Sequence, residues 1–110
     1  MKLLEIKQLL KAEVLTANAD LDREPQFVRA SDLMSDVLSA GHFEGILITG
    51  LTNAQSVRTA HMVELEAICY VRGKKPGEET IQLAQDKDII LMATDFTMFK
   101  ACGILYNNMT

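Results

Sequence analysis

The residues best suited to chemistry in this sequence are three cations in one short turn. Arg72, Lys74 and Lys75 surround Gly73 between a predicted strand and a predicted helix. The free N–H groups at the beginning of a helix favour anions, and neighbouring cations strengthen that field. The turn therefore predicts a site for a small anionic ligand that carries a phosphate or carboxylate group.

Hydroxyl side chains follow the ends of the neighbouring predicted strands. Thr49 and Thr52 lie on either side of Gly50, and Thr94 ends the third apolar strand. A hydroxyl group can donate a hydrogen bond to an anion that the basic turn attracts. We therefore expect these threonines to contribute to the same site.

Ser31 and Asp32 precede a helical pattern and have two interpretations. They could face the same sheet edge as ligand contacts, or they could cap the helix that follows, because their oxygens accept its free backbone N–H groups. The complete set of predicted ligand-binding residues is Ser31, Asp32, Thr49, Gly50, Thr52, Arg72, Gly73, Lys74 and Thr94.

The basic turn also has an alternative interpretation as a solvated surface turn. Glu78 and Glu79 already complement the beginning of the following helix. The turn also lacks the glycine spacing of a nucleotide-binding loop. The sequence leaves both interpretations open.

Three apolar segments must position these residues. Gly45–Thr49, 67–71 and 89–93 are continuous apolar runs, which are typical of strands covered on both faces. Single helices connect them, so we expect parallel strands with right-handed crossovers. This predicts an α/β fold, a three-layer-like arrangement with a mainly parallel sheet built from βαβαβ units, whose turns gather at one rim.

Further elements flank this centre. An amphipathic helix begins at Leu3, and short strands are predicted at 13–17 and 26–30, either extending the sheet or forming a separate ribbon. A helix is predicted to end at Gly41, and the last helix spans about 96–108. One side of that last helix is predicted to carry Phe99, Cys102, Leu105 or Tyr106, and Met109.

Length and charge limit the classes of function. The 110 residues predict one domain, with an N-terminal helix and short strands in 1–30 and the α/β core in 31–110. The net charge of −4 argues against nucleic acid or an anionic membrane as a partner, because both attract basic surfaces. No apolar run approaches the roughly 20 residues that span a bilayer. No secretion signal is recognised either, so we expect a cytoplasmic protein.

The reactive residue types have unreactive interpretations. Cys69 and Cys102 lie in apolar patterns typical of core cysteines, and His61 lies on or beside a buried helix stripe. The two cysteines lack the spacing of a zinc site. No nucleophile elbow, phosphate-binding loop or close carboxylate pair is recognised, so the sequence predicts no enzyme, no cofactor and no metal.

Several segments together carry a resemblance to a known family. They are 21–24 (LDRE), 31–38 (SDLMSDVL), 46–50 (ILITG), 73–79 (GKKPGEE) and 91–99 (LMATDFTMF). In order and spacing the chain resembles the DRTGG domains, which are similar to the N-terminal domain of bacterial HPr kinase/phosphorylase. These domains also occur beside CBS domains and within long phosphotransacetylases. The resemblance covers nearly the whole chain.

Both signature turns of the family differ here. The Asp-Arg pair after the second-strand turn is Leu51-Thr52, and the Thr-Gly-Gly turn is Arg72-Gly73-Lys74. The resemblance implies a small regulatory or ligand-sensing module without catalytic activity. It also implies that Asp22 and Arg23 could form an ion pair that holds their loop.

These observations lead to two main functional hypotheses. The first is a non-enzymatic regulatory module that senses a small molecule, for which an anion or a nucleotide is the chemical class to test. The alternative is a protein-interaction or oligomerisation domain, consistent with methionines that suit adaptable surfaces. A small phosphotransfer enzyme is the third hypothesis and lacks an evident general base. We also expect a homo-oligomer, most simply a dimer.

Overall fold

The computed structural model describes residues 1–42 and 44–109. In this part of the chain helices and strands alternate around one sheet. In chain order they are α1 (Leu3–Leu10), β1 (Glu13–Val14), β2 (Phe27–Ala30), α2 (Met34–Ala40), β3 (Gly45–Thr49), α3 (Ala54–Met62), β4 (Ala67–Tyr70), α4 (Glu78–Asp86), β5 (Ile90–Ala93) and α5 (Met98–Met109).

The sheet is mainly parallel, as predicted. Its strand order is β1-β5-β4-β3-β2, with β2 to β5 parallel and β1 antiparallel to β5. The two N-terminal strands therefore extend the sheet at opposite edges and form no separate ribbon. Since β2 follows the same direction as β3, four strands direct their carboxyl ends towards one rim.

The apolar strands are covered on both faces, which explains their continuous hydrophobic sequences. Along β3 all five residues are buried, and their side chains alternate between two cores. Leu47 packs with α2, α3 and α4, whereas Ile46 and Ile48 pack with α1 and α5. Burial of each such side chain contributes about 2 kcal/mol, so the two helical layers hold the sheet from both sides.

The helix caps match the sequence at two helices and differ at a third. Asn53 caps α3 by accepting the Gln55 N–H, and α4 has the two predicted glutamates in its first turn. The predicted cap of α2 by Ser31 and Asp32 is wrong, because Leu33 occupies the cap position without a side-chain bond. Ser31 instead accepts the Leu33 N–H at 3.0 Å, and Asp32 points to the neighbouring turn.

Two predicted buried stripes also need correction. His61 is exposed on α3, and the inward residues there include Ser56 and Val57. On α5 the inward row contains Ala101 and Leu105, while Phe99 is 90% exposed and Tyr106 is 74% exposed. Phe99 lies two residues from Ala101, which turns it about 200° around the helix, away from the sheet.

The ion pair that the family resemblance implied is also different. Arg23 binds Asp88 at 2.8 Å, and Asp22 lies 3.6 Å from Lys2. The two side chains therefore reach separate elements instead of each other. Arg23 thereby connects the loop before β2 to the turn before β5. No helix in the described residues is long and apolar enough to cross a membrane.

Candidate functional site

Four turns meet at the rim formed by the carboxyl ends of the parallel strands. They follow β2 at Ala30, β3 at Thr49, β4 at Tyr70 and β5 at Ala93. In open α/β sheets this edge is where ligands usually bind. The nine predicted site residues therefore lie on turns at one end of the sheet.

A hydrogen-bonded network centred on Asp32 occupies this rim, and we call it the rim network. Its members are Asp32, Thr49, Gly50 and Arg72. The Asp32 Oδ1 atom accepts the Gly50 N–H at 2.6 Å and the Thr49 hydroxyl at 3.1 Å. The Oδ2 atom lies 3.4 Å from Nη2 of Arg72. A backbone amide, a hydroxyl and a guanidinium group thus converge on one carboxylate.

The backbone of Arg72 is held in an uncommon conformation. Its φ angle is 63°, in the left-handed region that costs a non-glycine residue about 1 kcal/mol. Its N–H donates to the Phe96 carbonyl at 2.8 Å, and the Gly73 N–H donates to the Thr94 carbonyl at 3.0 Å. These bonds to the turn after β5 hold the strained turn in place and direct the guanidinium group towards Asp32.

The guanidinium group of Arg72 packs against the backbone of Gly50, where another residue would have its Cβ atom. A Cβ atom at position 50 would lie 2.7 Å from Cζ of Arg72, well inside van der Waals contact. A glycine is therefore what allows Arg72 to lie across the β3–α3 turn. Glycine is needed at position 50 because it lacks a side chain, and its greater backbone freedom is not required there.

The environment of Asp32 favours its ionised form. The hydrogen bond from the Gly50 N–H is the largest cause that lowers the pKa of Asp32, and partial burial opposes it. The Thr49 hydroxyl and the Arg72 charge lower the pKa further. Asp32 is therefore an anion at neutral pH, and the rim donors already bind a carboxylate from the protein itself.

The remaining predicted residues lie outside the rim network. Thr94 is buried, and its hydroxyl donates to the Leu10 carbonyl at 2.6 Å, on the α1 side of the sheet. Thr52 is half-buried and Lys74 is exposed. Ser31 and Gly73 border shallow clefts on the two sides of the network, of about 250 Å³ and 140 Å³ respectively.

The cations of the basic turn are partly neutralised. Arg72 faces Asp32, and Nζ of Lys75 binds Oε1 of Glu13 at 3.0 Å. Glu13 belongs to the antiparallel edge strand β1, whose position beside β5 the sequence left undecided. The positive field that the sequence predicted at this turn is therefore reduced by two carboxylates from distant parts of the chain.

An apolar cleft that the sequence did not predict lies between the edge strand β2 and helix α5. The cleft has a volume of about 390 Å³. Its lining residues are Gln26, Phe27, Val28, Ala30, Cys102, Leu105, Tyr106 and Met109. Phe27 and Tyr106 are mostly exposed, and these two aromatic residues at the ends of separate elements were the signal in the sequence.

Burial disfavours the ionised forms of both cysteines and of Tyr70. Burial raises the pKa of Cys69 to about 12, and it also raises the pKa of Cys102 beside the apolar cleft. The Tyr70 hydroxyl lies 2.8 Å from Ser56 Oγ in the core, and burial raises the pKa of Tyr70 to about 12. Within residues 1–42 and 44–109, no three His, Cys, Asp or Glu side chains are grouped so that they could hold a metal ion.

Comparison with known proteins identifies a structural relative. The chain is similar to the crystal structure of the CBS and DRTGG domains of the regulatory region of Clostridium perfringens pyrophosphatase, complexed with its activator diadenosine tetraphosphate. The TM-score is 0.78 at 23% sequence identity, and the match covers 94% of this chain and 45% of that chain. The DRTGG resemblance is confirmed at the level of the fold. No family model and no curated protein matches the sequence.

Proposed function

We propose that this chain is a non-enzymatic regulatory module of the DRTGG type that senses a small anionic ligand at the rim network. The chemical class is a phosphate or a nucleotide phosphate group. The similar pyrophosphatase region is regulatory and was crystallised with a nucleotide activator, which supports this class. Because the chain corresponds to less than half of that region, we further propose that it acts as one domain that passes its ligand state to other domains or proteins.

The observation that carries this proposal is the donor set around Asp32. A backbone N–H, a hydroxyl and a guanidinium group within 2.6 to 3.4 Å of one carboxylate are also the donors that bind phosphate oxygens. They lie at the edge where open α/β sheets bind ligands. The Asp32 carboxylate is the rim group that could act as a general base, and its engagement by these three donors supports binding rather than catalysis.

Backbone NMR spectra recorded during a titration test the proposal. Inorganic phosphate, ATP and diadenosine tetraphosphate are added separately to the isotope-labelled protein at about 0.15 M ionic strength, where the Debye length is about 8 Å. We expect saturable amide shifts at residues 49–52 and 72–77, and we expect Arg72→Gln to weaken binding about tenfold, because one charge-assisted hydrogen bond is lost. Unchanged amide signals in both segments with all three compounds would contradict the proposal.

A matched control separates local contact from overall charge. Lys87→Gln removes one positive charge at the exposed C-terminal end of α4, at the opposite end of the sheet. We expect this variant to bind as the wild type does, because an exposed charge more than a Debye length away is largely screened. Equal weakening by Arg72→Gln and Lys87→Gln would indicate only a general attraction of anions.

The apolar cleft favours a second candidate function, self-association. Phe27 is 62% exposed on β2, the strand at the edge of the sheet, and Tyr106 is 74% exposed on the adjacent helix. Edge strands with exposed apolar residues readily pair with another chain. A two-fold axis beside β2 would bring two copies of the cleft together and bury both aromatic residues.

Sedimentation equilibrium at micromolar concentration tests this second candidate. We expect a dimer for the wild type and a monomer for Phe27→Asp, because a carboxylate in the cleft would be buried without a partner. Phe99→Asp is the matched control, since Phe99 is 90% exposed and lies outside the cleft lining. A monomeric wild type, or equal effects of the two substitutions, would contradict association through the cleft.

A further inference from the structure

We infer that Asp32 is a built-in competitor for the anion site, so that a ligand binds the rim network by displacing the Asp32 carboxylate. The inference rests on the proposed function and adds its regulation. The donors that a phosphate group would use are already bound to the protein's own carboxylate. Binding is therefore an exchange of one anion for another, coupled to movement of the segment that carries Asp32.

The geometry of the carboxylate matches this role. Its two oxygens are bound separately, Oδ1 by the β3–α3 turn and Oδ2 by Arg72 from the turn after β4. A phosphate group presents two oxygens to donors in the same manner. The bond from the Gly50 N–H, at 2.6 Å, is as short as charge-assisted hydrogen bonds are, so this donor is directed at an anion. The Thr49 hydroxyl adds a longer bond at 3.1 Å.

The exposure of the network allows the exchange. The side chain of Asp32 is 49% exposed and that of Arg72 is 39% exposed, so solvent and solutes reach both partners. The 3.4 Å separation between them is at the long end for an ion pair, and exposed pairs contribute less than about 1 kcal/mol. An incoming anion can therefore replace Asp32 without opening the core.

The position of Asp32 connects the exchange to α2. Asp32 lies two residues before Met34, where α2 begins, and Leu33 gives this helix no side-chain cap. Met34 and Val37 remain buried in the core and anchor the helix. Displacement of the carboxylate therefore changes the residues that lead into α2 while the helix itself stays packed, and the change on ligand binding is presented on the surface at the beginning of α2.

Phosphate titration of Asp32→Ala, followed by NMR on the complete chain, tests the inference. We expect the variant to bind inorganic phosphate about tenfold more tightly than the wild type, because the competing carboxylate is gone. We also expect its amide signals at residues 33–36, without phosphate, to resemble those of phosphate-bound wild type. Asp32→Asn keeps the side-chain shape and removes the charge, so it should show a smaller gain in the same direction if the alanine variant does not fold.

The control is Asp95→Asn, which removes a neighbouring negative charge but none of the bonds to Gly50, Thr49 or Arg72. Asp95 is exposed on the turn after β5, near Gly73. We expect its phosphate affinity to change less than about twofold, because its charge acts only through solvent.

The outcomes separate the inference from the proposed function. If the wild type binds phosphate at the rim and the Asp32 variants bind equally or less tightly, the competitor role is overturned and the site remains. If Asp95→Asn raises the affinity as much as Asp32→Ala, a general charge effect replaces the competitor role. If neither the wild type nor the Asp32 variants bind phosphate, nucleotide or dinucleotide, the proposed function and the inference both fail.

Discussion

Two arginine–aspartate pairs lie at opposite ends of the same sheet and differ in construction. At the amino end, Nη2 of Arg23 binds both carboxylate oxygens of Asp88, at 2.9 and 2.8 Å, and Nη1 donates to the Asp88 carbonyl at 3.3 Å. At the rim, Arg72 approaches a single oxygen of Asp32 at 3.4 Å. The first pair joins two segments through three hydrogen bonds, whereas the second makes one long contact.

Burial of the arginine distinguishes the pairs further. The side chain of Arg23 is 24% exposed, and that of Arg72 is 39% exposed. Each pair contains one residue with a positive φ angle, Asp88 at 58° and Arg72 at 63°. Aspartate tolerates this conformation better than arginine does. Of these two residues, Arg72 therefore carries the greater backbone strain.

Two carboxylates show the same contrast in their protonation. Hydrogen bonding lowers the pKa of Asp32 at the rim, whereas desolvation raises the pKa of Glu66 at the beginning of β4. Among the described residues, Oε2 of Glu66 is a buried oxygen without a hydrogen-bond partner. At the rim, the Asp32 carboxylate receives hydrogen bonds from nearby donors. At the opposite end of the sheet, Oε2 of Glu66 receives none.

The largest expected effect comes from breaking the amino-end pair. Arg23→Ala should lower the free energy of unfolding by about 1.5 kcal/mol, because hydrogen bonds to Asp88 and the packing of the arginine stem are both lost. Urea denaturation followed by circular dichroism measures this. Arg23→Lys, which keeps the charge and loses the planar fork, should recover only part of the loss. A loss no greater than that of Arg72→Ala would remove the distinction between the two pairs.

Backbone strain at the rim gives the next effect. Arg72→Gly should be more stable than Arg72→Ala by about 1 kcal/mol, because glycine adopts a positive φ angle without steric cost. Both variants lose the contact to Asp32, so their difference in urea midpoint isolates the conformation. If alanine is as stable as glycine at this position, the left-handed turn carries no strain.

The carboxylate of Glu66, whose Oε2 atom lacks a hydrogen-bond partner, should give a change of opposite sign. Because the folded pKa of Glu66 is raised, its stabilising contribution is present at acidic pH and is lost as the pH rises through that pKa. Glu66→Gln should therefore raise stability at pH 7 by roughly 0.5 kcal/mol and flatten the pH dependence. Urea midpoints measured from about pH 4 to about pH 7 report both effects, because this range begins near an ordinary carboxyl pKa. A destabilised variant at pH 7 would contradict this.

The smallest effect is expected from a change at Gly50, which the guanidinium group of Arg72 contacts. Gly50→Ala should displace Arg72 from Asp32 and change stability by less than about 0.5 kcal/mol, since the end of a flexible side chain can move. The pKa of Asp32 should rise only slightly towards 3.8, because the Gly50 N–H remains its main donor. Carboxyl-carbon NMR titration measures this pKa.

The lowered pKa of Asp32 also makes stability depend on pH. Since the folded pKa is lowered, the contribution of Asp32 to stability is present above about pH 3.8 and is lost as the pH falls through the folded value.

The sequence predicted the sheet well because its signals are local. Continuous apolar runs at β3, β4 and β5 require cover on both faces, and short helical connections require parallel strands. These two requirements determined the common rim. The partners of individual side chains were predicted less well. Asp32 precedes a helix, so the local pattern favoured a cap, and nothing nearby in sequence indicated the donors at Thr49 and Gly50.

The same limit applies to Arg23 and to α5. The partner of Arg23 is Asp88, 65 residues away, and the adjacent Asp22 was the only candidate that local reasoning offered. On α5, several apolar residues formed alternative stripes, and contact with α1 and the sheet selected Ala101 and Leu105 over Phe99. Helical spacing defines which residues share a face, but packing decides which face turns inward.

By itself, therefore, the sequence determined a parallel α/β sheet with polar turns at one edge, because hydrophobic periodicity and connection length act within a few residues. Only the tertiary structure decided that the Asp32 carboxylate is bound by donors from those turns, that Arg23 holds the opposite end, and that an apolar cleft lies beside β2. These features depend on side chains brought together from distant segments, and their contact energies are realised only once the chain has folded.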